Sequence, residues 1–198
     1  MFVPQVRTCA TLASATLLVL AITGCEPPAT DDAAPSSPAA VSAPAASEQA
    51  DSPAGEVALA VADEKQFQQL VDSHRGEVVL VDFWATWCAP CVKHFPHTVE
   101  LYNKHHTDGL AAITVNFDEL ASEPAVKEFL QRHSAVTENL LSKYDGVGTE
   151  VTTAFDFEGV LPHYRLYDRA GQLRYRWDEP PEDLDAKVAE LLAEPPPK

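Results

Sequence analysis

Two cysteines three positions apart, Cys88 and Cys91, carry the most direct chemistry in this 198-residue sequence. They close the run Val78-Val79-Leu80-Val81-Asp82-Phe83-Trp84-Ala85-Thr86-Trp87-Cys88-Ala89-Pro90-Cys91, whose first half is apolar and β-branched, as a strand buried on both faces requires. The pair then falls on the first turn of a helix. A thiol placed there meets unpaired N–H groups and the positive end of the helix dipole, so its thiolate is favoured and its pKa falls. Cys88 is the expected nucleophile. Cys91, one turn further in, lies within disulfide reach of it and is expected to be the more buried of the two. A lone C-x-x-C also serves as half of a zinc site or as a structural disulfide. Here no second C-x-x-C completes a four-ligand site, and Trp87 and Pro90 frame the pair. Covalent haem attachment needs a histidine after the second cysteine, and residue 92 is Val.

The stretch Asp82-Phe83-Trp84-Ala85-x-Trp87-Cys88-x-Pro90-Cys91 resembles the active-site segment of the thioredoxin superfamily, in individually rare residue types at fixed spacing. Pro96 in the following helix and Gly159-Val160-Leu161-Pro162 are further points of resemblance. The resemblance implies an α/β, thioredoxin-like fold: a central mixed sheet flanked by helices. It implies a cis Pro162 that opens a strand facing the dithiol. That proline, with Leu161, Trp87 and Pro90, would meet an extended substrate segment and hold its disulfide in line with Cys88. The resemblance also gives Asp82 the role of exchanging a proton with Cys91. An acid in a buried strand should have its pKa raised toward the working range. Where thioredoxins tend to carry a lysine near this acid, the corresponding residue is Thr114. His163 and Arg165 are more polar than the residues usual beside the proline, which bears on the substrate contacts.

The elements that must position these residues begin near residue 56, where the composition becomes that of a globular domain of about 140 residues. Val57 to Val61 reads as a first strand. Asp63 and Gln66 read as the capped start of a helix with Phe67, Leu70, Val71 and His74 on its apolar face. After the dithiol, Val92, Phe95, Val99 and Tyr102 share a helix face that Pro96 is expected to kink. Leu110 to Phe117 reads as the next buried strand, parallel to the one before the cysteines. From about 119 to 158 there are more residues than a plain crossover needs. A helix is expected over Pro124 to His133, short helices over Thr137 to Lys143 and Thr149 to Phe155, and a break at Tyr144 to Gly148. This helical insert before the proline strand resembles that of membrane-anchored, extracytoplasmic thioredoxin-like oxidoreductases of the cytochrome-c-maturation type. His163 to Asp168 and Gln172 to Trp177 form an expected hairpin, and a last helix carries Leu184, Val188, Leu191 and Leu192.

Residues 1–25 read as a signal peptide. Arg7 supplies the positive start, Ala10 to Ile22 an apolar stretch too short to span a bilayer comfortably, and Leu20-Ala21-Ile22-Thr23-Gly24-Cys25 resembles a bacterial lipobox whose cysteine is lipidated. An ordinary cleaved signal or an uncleaved anchor fits the same stretch. With Cys9 removed and Cys25 acylated, Cys88 and Cys91 are the two remaining thiols, which suits an oxidising compartment. Residues 26–55, rich in Pro, Ala, Ser and acids, read as a disordered linker.

The expected activity is thiol:disulfide exchange through a mixed disulfide on Cys88, resolved by Cys91, with no cofactor. The direction expected is reduction of protein disulfides outside the cytoplasm, on a lipid-anchored protein fed by a membrane dithiol donor. The alternative from a different class is a copper-binding or copper-delivering module using Cys88, Cys91 and one of His94, His97 or His163. A formal net charge of −16 argues against nucleic acid and against direct docking on anionic lipid.

Overall fold

Seven consecutive residues, Val78–Trp84, form the central strand β2, and every one of them is buried. The computed structural model describes residues 57–196. The expected signal peptide, Cys25 and the linker over 26–55 lie outside the described residues. Within the described part a six-stranded sheet runs in the order β1-β4-β3-β2-β5-β6. Strands β1 (Ala60–Ala62), β4 (Glu138–Ser142), β3 (Leu110–Asn116) and β2 pair in parallel, and β5 (His163–Tyr167) and β6 (Leu173–Trp177) are antiparallel additions at the far edge. The result is the expected mixed sheet.

Alternation along β2 sorts its side chains to the two faces. Val79, Val81 and Phe83 face a cluster built with Phe67 and Val71 of α1 (Glu64–Ser73) and Val151 and Phe155 of α4 (Thr149–Phe155). On the other face, Val78 and Leu80 pack with Leu101 of α2 (Ala89–His105) and with Leu184, Val188 and Leu191 of α5 (Leu184–Ala193). Trp84, at the end of that face, packs with Phe95 of α2 and Phe129 of α3 (Glu123–Arg132). Helix α1 opens with the expected capping box: Asp63 accepts from the Gln66 backbone N–H at 2.9 Å, and the Asp63 N–H donates to the Gln66 side chain at 3.0 Å. Helix α2 continues as one helix through Pro96.

Several expectations need correction. The first strand is shorter and later than Val57 to Val61, covering Ala60–Ala62. Thr137 to Lys143 is not a helix: Glu138–Ser142 is β4, the parallel bridge between β3 and β1. The insert is therefore helix, strand, helix. Its strand is a short run buried from Asn139 to Ser142, without the alternation that separates strand from helix. His74 does not pack in the α1 core. It caps that helix and bridges Glu77 and Glu138, and these two carboxylates hold its pKa up at about 9.

Asn139 stitches β4 into place from inside. Its Nδ2 lies 2.8–3.0 Å from the carbonyls of Ala58, Ala135 and Thr137, and its Oδ1 accepts from the hydroxyls of Thr114 and Thr137, each at 2.8 Å. Truncation would strand two buried hydroxyls without their acceptor. Asn139→Ala is expected to lower the unfolding free energy by about 2–4 kcal/mol in urea titrations. A loss below about 0.5 kcal/mol would show that the network is dispensable.

Candidate active site

Cys88 is the N-cap of α2. Its Sγ accepts the backbone N–H of Cys91 at 3.3 Å, and its own N–H is held by the carbonyl of Ala85 at 3.2 Å. The N-cap position normally favours an oxygen that satisfies a free N–H of the first turn, and here a sulfur does so. Cys88 and Cys91 are joined as a disulfide with Cα atoms 5.2 Å apart. Both are buried, Cys91 at 1% exposure slightly more than Cys88 at 5%. Pro90 stands at the second helical position, where its missing N–H costs nothing. Trp87, 60% exposed, projects from the surface next to the sulfur pair.

The loop that delivers Cys88 is fastened by residues that sequence reasoning missed. The buried Asp118 carboxylate accepts the backbone N–H of Thr86 at 2.8 Å, the Thr86 hydroxyl at 2.7 Å and the amide of Asn116 at 2.7 Å. The N–H of Phe117 donates to the carbonyl of Trp84 at 2.9 Å, so the turns after β2 and β3 are tied edge to edge. Asn116-x-Asp118 after an apolar strand is the one local signal of this clamp, since Thr86 lies 32 residues away.

Asp82 sits on β2 between Leu80 and Trp84, on the face covered by α2. It is 1% exposed, and its one side-chain partner is the hydroxyl of Thr98 on α2, which donates to Oδ2 at 2.7 Å. Oδ1 is buried without a partner. Burial pushes the Asp82 pKa from 3.8 up to about 7, opposed in part by the Thr98 hydrogen bond. Thr114, its neighbour across β3, is fully buried and donates to Asn139, so no cation from that position offsets the charge of Asp82. Its neighbour across β5 is the buried Tyr164.

The Leu161–Pro162 peptide is cis, as expected. Pro162 is buried and lies one residue before the pair Phe83–His163, at the end of β2 that leads to the dithiol. Leu161 is half-buried and packs both on the cluster that contains Cys88 and Cys91 and on the phenylalanine cluster of the opposite face. Val160 is 50% exposed. His163 and Arg165 are not surface residues open to a substrate. They are 0% and 6% exposed and point to the α1/α4 face, with His163 stacked on Phe83 at 5.2 Å.

The histidines do not gather around the sulfurs. His163 has both ring nitrogens engaged, Nδ1 with Asp178 at 2.7 Å and Nε2 accepting from Arg165 Nε at 3.1 Å. His97 pairs with Asp185 at 2.8 Å. His94 lies half-buried one turn past Cys91, and among the described residues no three His, Cys, Asp or Glu side chains group as metal ligands. Nothing in this arrangement favours the copper reading.

A parallel β-α-β core, a disulfide at a helix N-terminus and a cis-proline strand beside it define a thioredoxin-like protein. The chain belongs to the Redoxin family, which it matches over residues 38–192. It is 33% identical over 99 residues to the thiol-disulfide oxidoreductase ResA of Bacillus cereus, a match covering 50% of this chain and 53% of that protein. It is 29% identical over 112 residues to ResA of Geobacillus kaustophilus, covering 57% and 60%. The chain thus matches little more than half the length of these curated relatives. Among solved structures, the thioredoxin domain of a thiol-disulfide oxidoreductase from Bacteroides vulgatus superposes with a TM-score of 0.53 at 26% identity, covering 61% of this chain and 83% of that one.

A raised acid pKa has a stability consequence of fixed sign. Below about pH 4 Asp82 is protonated whether the chain is folded or not. As pH rises from there to about 7, the unfolded chain loses the proton first, and folding is progressively disfavoured. Asp82→Asn removes that penalty, so the variant should be more stable than wild type at about pH 8, by on the order of 2–4 kcal/mol, with a difference that shrinks toward about pH 4. Urea unfolding at several pH values measures it. A difference independent of pH would place the Asp82 pKa near its ordinary value.

Proposed function

We propose that this protein is a thiol:disulfide oxidoreductase that reduces protein disulfides outside the cytoplasm. The observation that carries the reading is the Cys88–Cys91 pair at the N-terminus of α2, with the Cys91 N–H directed at Cys88 Sγ. That donor and the helix dipole favour a thiolate on Cys88 in the reduced protein. The relatives named as thiol-disulfide oxidoreductases support the same chemistry.

In the proposed cycle the Cys88 thiolate attacks one sulfur of a substrate disulfide. The Cys88–substrate bond forms, the substrate S–S bond breaks, and the departing sulfur leaves as a thiolate that takes a proton from solvent. Cys91 then loses its proton to the Asp82 carboxylate and attacks Cys88 Sγ, which closes the Cys88–Cys91 disulfide and releases the second substrate thiolate. Two electrons have passed from the protein dithiol to the substrate disulfide. A carboxyl titrating at about 7 is matched to taking that proton near neutral pH. Trp87, Pro90, Leu161 and Pro162 form the substrate contact in this reading, with Trp87 and Val160 as the exposed apolar side chains flanking it.

Placement outside the cytoplasm rests on the sequence: the apolar leader, the lipobox-like Cys25 as lipid anchor, and the linker 26–55 as spacer to the domain over 56–198. No helix among the described residues is long and apolar enough to cross a membrane. The electron source consistent with this placement is a membrane-bound dithiol protein.

A Cys91→Ser variant tests the mechanism. It should accumulate mixed disulfides on Cys88, while Cys88→Ser should capture none and lower the rate of insulin reduction by at least about 1000-fold. Wild type that fails to reduce insulin with a dithiol donor, together with a Cys91→Ser variant that captures nothing, rejects the oxidoreductase reading.

A further inference from the structure

Seven residues, 156–162, connect α4 to β5 and end in the cis proline, and the structure ties them down from the insert side. Phe157 packs between Phe117 and His163, and its N–H donates to the carbonyl of Thr152 in α4. Gly159, at φ +77°, lies so close to α4 that a Cβ would meet Thr152 Cγ2 at 2.9 Å. The decisive contact is made by Arg165. Its Nη2 donates to the carbonyls of Phe155 and Asp156 at 2.5 and 2.7 Å, its Nε donates to His163, and its guanidinium lies 4.8 Å from the centre of the Phe83 ring. Arg176 on β6 donates to the same Asp156 carbonyl. Two arginines on neighbouring strands thus cap the carboxyl end of α4, where the helix presents free carbonyls and the negative end of its dipole.

We propose that Arg165, seconded by Arg176, is the positioning residue for the substrate-facing loop: by clamping the end of α4 to β5 it makes the insert the platform on which Val160 and Leu161 are presented beside the dithiol. This rests on the oxidoreductase reading above and assigns the insert a task within it, that of setting affinity for a protein disulfide. Arg165 lies on the α1/α4 face of β5, whereas Asp82 faces α2, so the clamp is separated by the sheet from the proton-accepting acid. Loosening it should weaken substrate binding and leave the sulfur chemistry intact. The fork of Arg165 serves two carbonyls and a ring nitrogen at once, which a lysine ammonium on a flexible stem cannot reproduce.

The test compares Arg176→Ala, Arg165→Lys and Arg165→Met with wild type. Arg176 is 37% exposed, so its removal leaves no buried hole and the variant is expected to fold. Three readouts separate the outcomes: KM and kcat for insulin, the rate with the small disulfide 5,5′-dithiobis(2-nitrobenzoate), and amide hydrogen exchange of Gly159, Val160 and Leu161. The expected result for Arg176→Ala is KM raised at least about threefold with kcat and the small-disulfide rate within about twofold of wild type, and faster exchange at the three amides. Arg165→Met should show a larger KM effect, partly recovered in Arg165→Lys. Unchanged KM or unchanged exchange in Arg176→Ala overturns the proposal whether or not the Arg165 variants fold, as does a parallel fall of both disulfide rates. Wild type inert toward both disulfides would instead be the failure of the oxidoreductase reading, and the exchange data would still report whether the clamp holds the loop.

Discussion

Strand β2 cannot slide. It is hydrogen-bonded in parallel to β3 along one edge and antiparallel to β5 along the other, and both of its faces are covered. A slip of one residue would carry Asp82 and Trp84 to the phenylalanine face and Phe83 under α2, burying a carboxyl among rings that offer it no hydrogen bond. That register fixes where the chain leaves the sheet, and therefore where Cys88 meets the first turn of α2. The Asp118–Thr86 clamp completes the placement. It satisfies the backbone of the short turn between β2 and α2, so the sulfur is positioned by hydrogen bonds on both sides of that loop.

The buried polar residues follow two opposite designs. Asn139, Asp118 and Arg165 each have several hydrogen-bond partners, and groups of that kind rigidify what they touch. Asp82 is starved, with a single hydroxyl donor, one orphaned oxygen and Thr114 where a cation would have stabilised its charge. Starvation keeps its carboxyl near the balance point between its two protonation states at neutral pH. A saturated carboxylate would be a better structural element and a poorer proton acceptor, because its charged form would already be fully stabilised.

The chemistry was legible in the sequence because it is local. Cys88 and Cys91 stand one helical turn apart, the helix start is announced by the apolar strand before it, and Asp63 with Gln66 writes its own cap. The Leu161–Pro162 cis bond was legible through resemblance, not through spacing. Strand β4 was not legible, because a short run buried on both faces carries no period and its partners β3 and β1 lie far off in sequence. Nor was the use of Arg165. Its partners at the end of α4 are backbone carbonyls, which every residue possesses, so no residue type nine or ten positions away betrays them. The polarity of His163 and Arg165 bears, in the sequence, on the substrate contacts, and only the fold shows that Arg165 caps a helix from beneath.

The strand that follows the cis proline therefore serves two masters by simple alternation. Tyr164 pairs across from Asp82 on the α2 side, while His163 and Arg165 pair with Phe83 and Val81 on the α4 side. One side of β5 thus borders the acid proposed to handle the proton of Cys91, and the other carries the clamp proposed to hold the loop that meets substrate. Because adjacent residues of a strand point through opposite faces, changes in α4 or in its arginine caps reach the loop without passing through the environment of Asp82. In this proposal the acid that handles the proton and the clamp that holds the Val160–Leu161 loop stand on different sides of one sheet, so a change at the clamp would leave the surroundings of Asp82 in place while the register of β2 is kept.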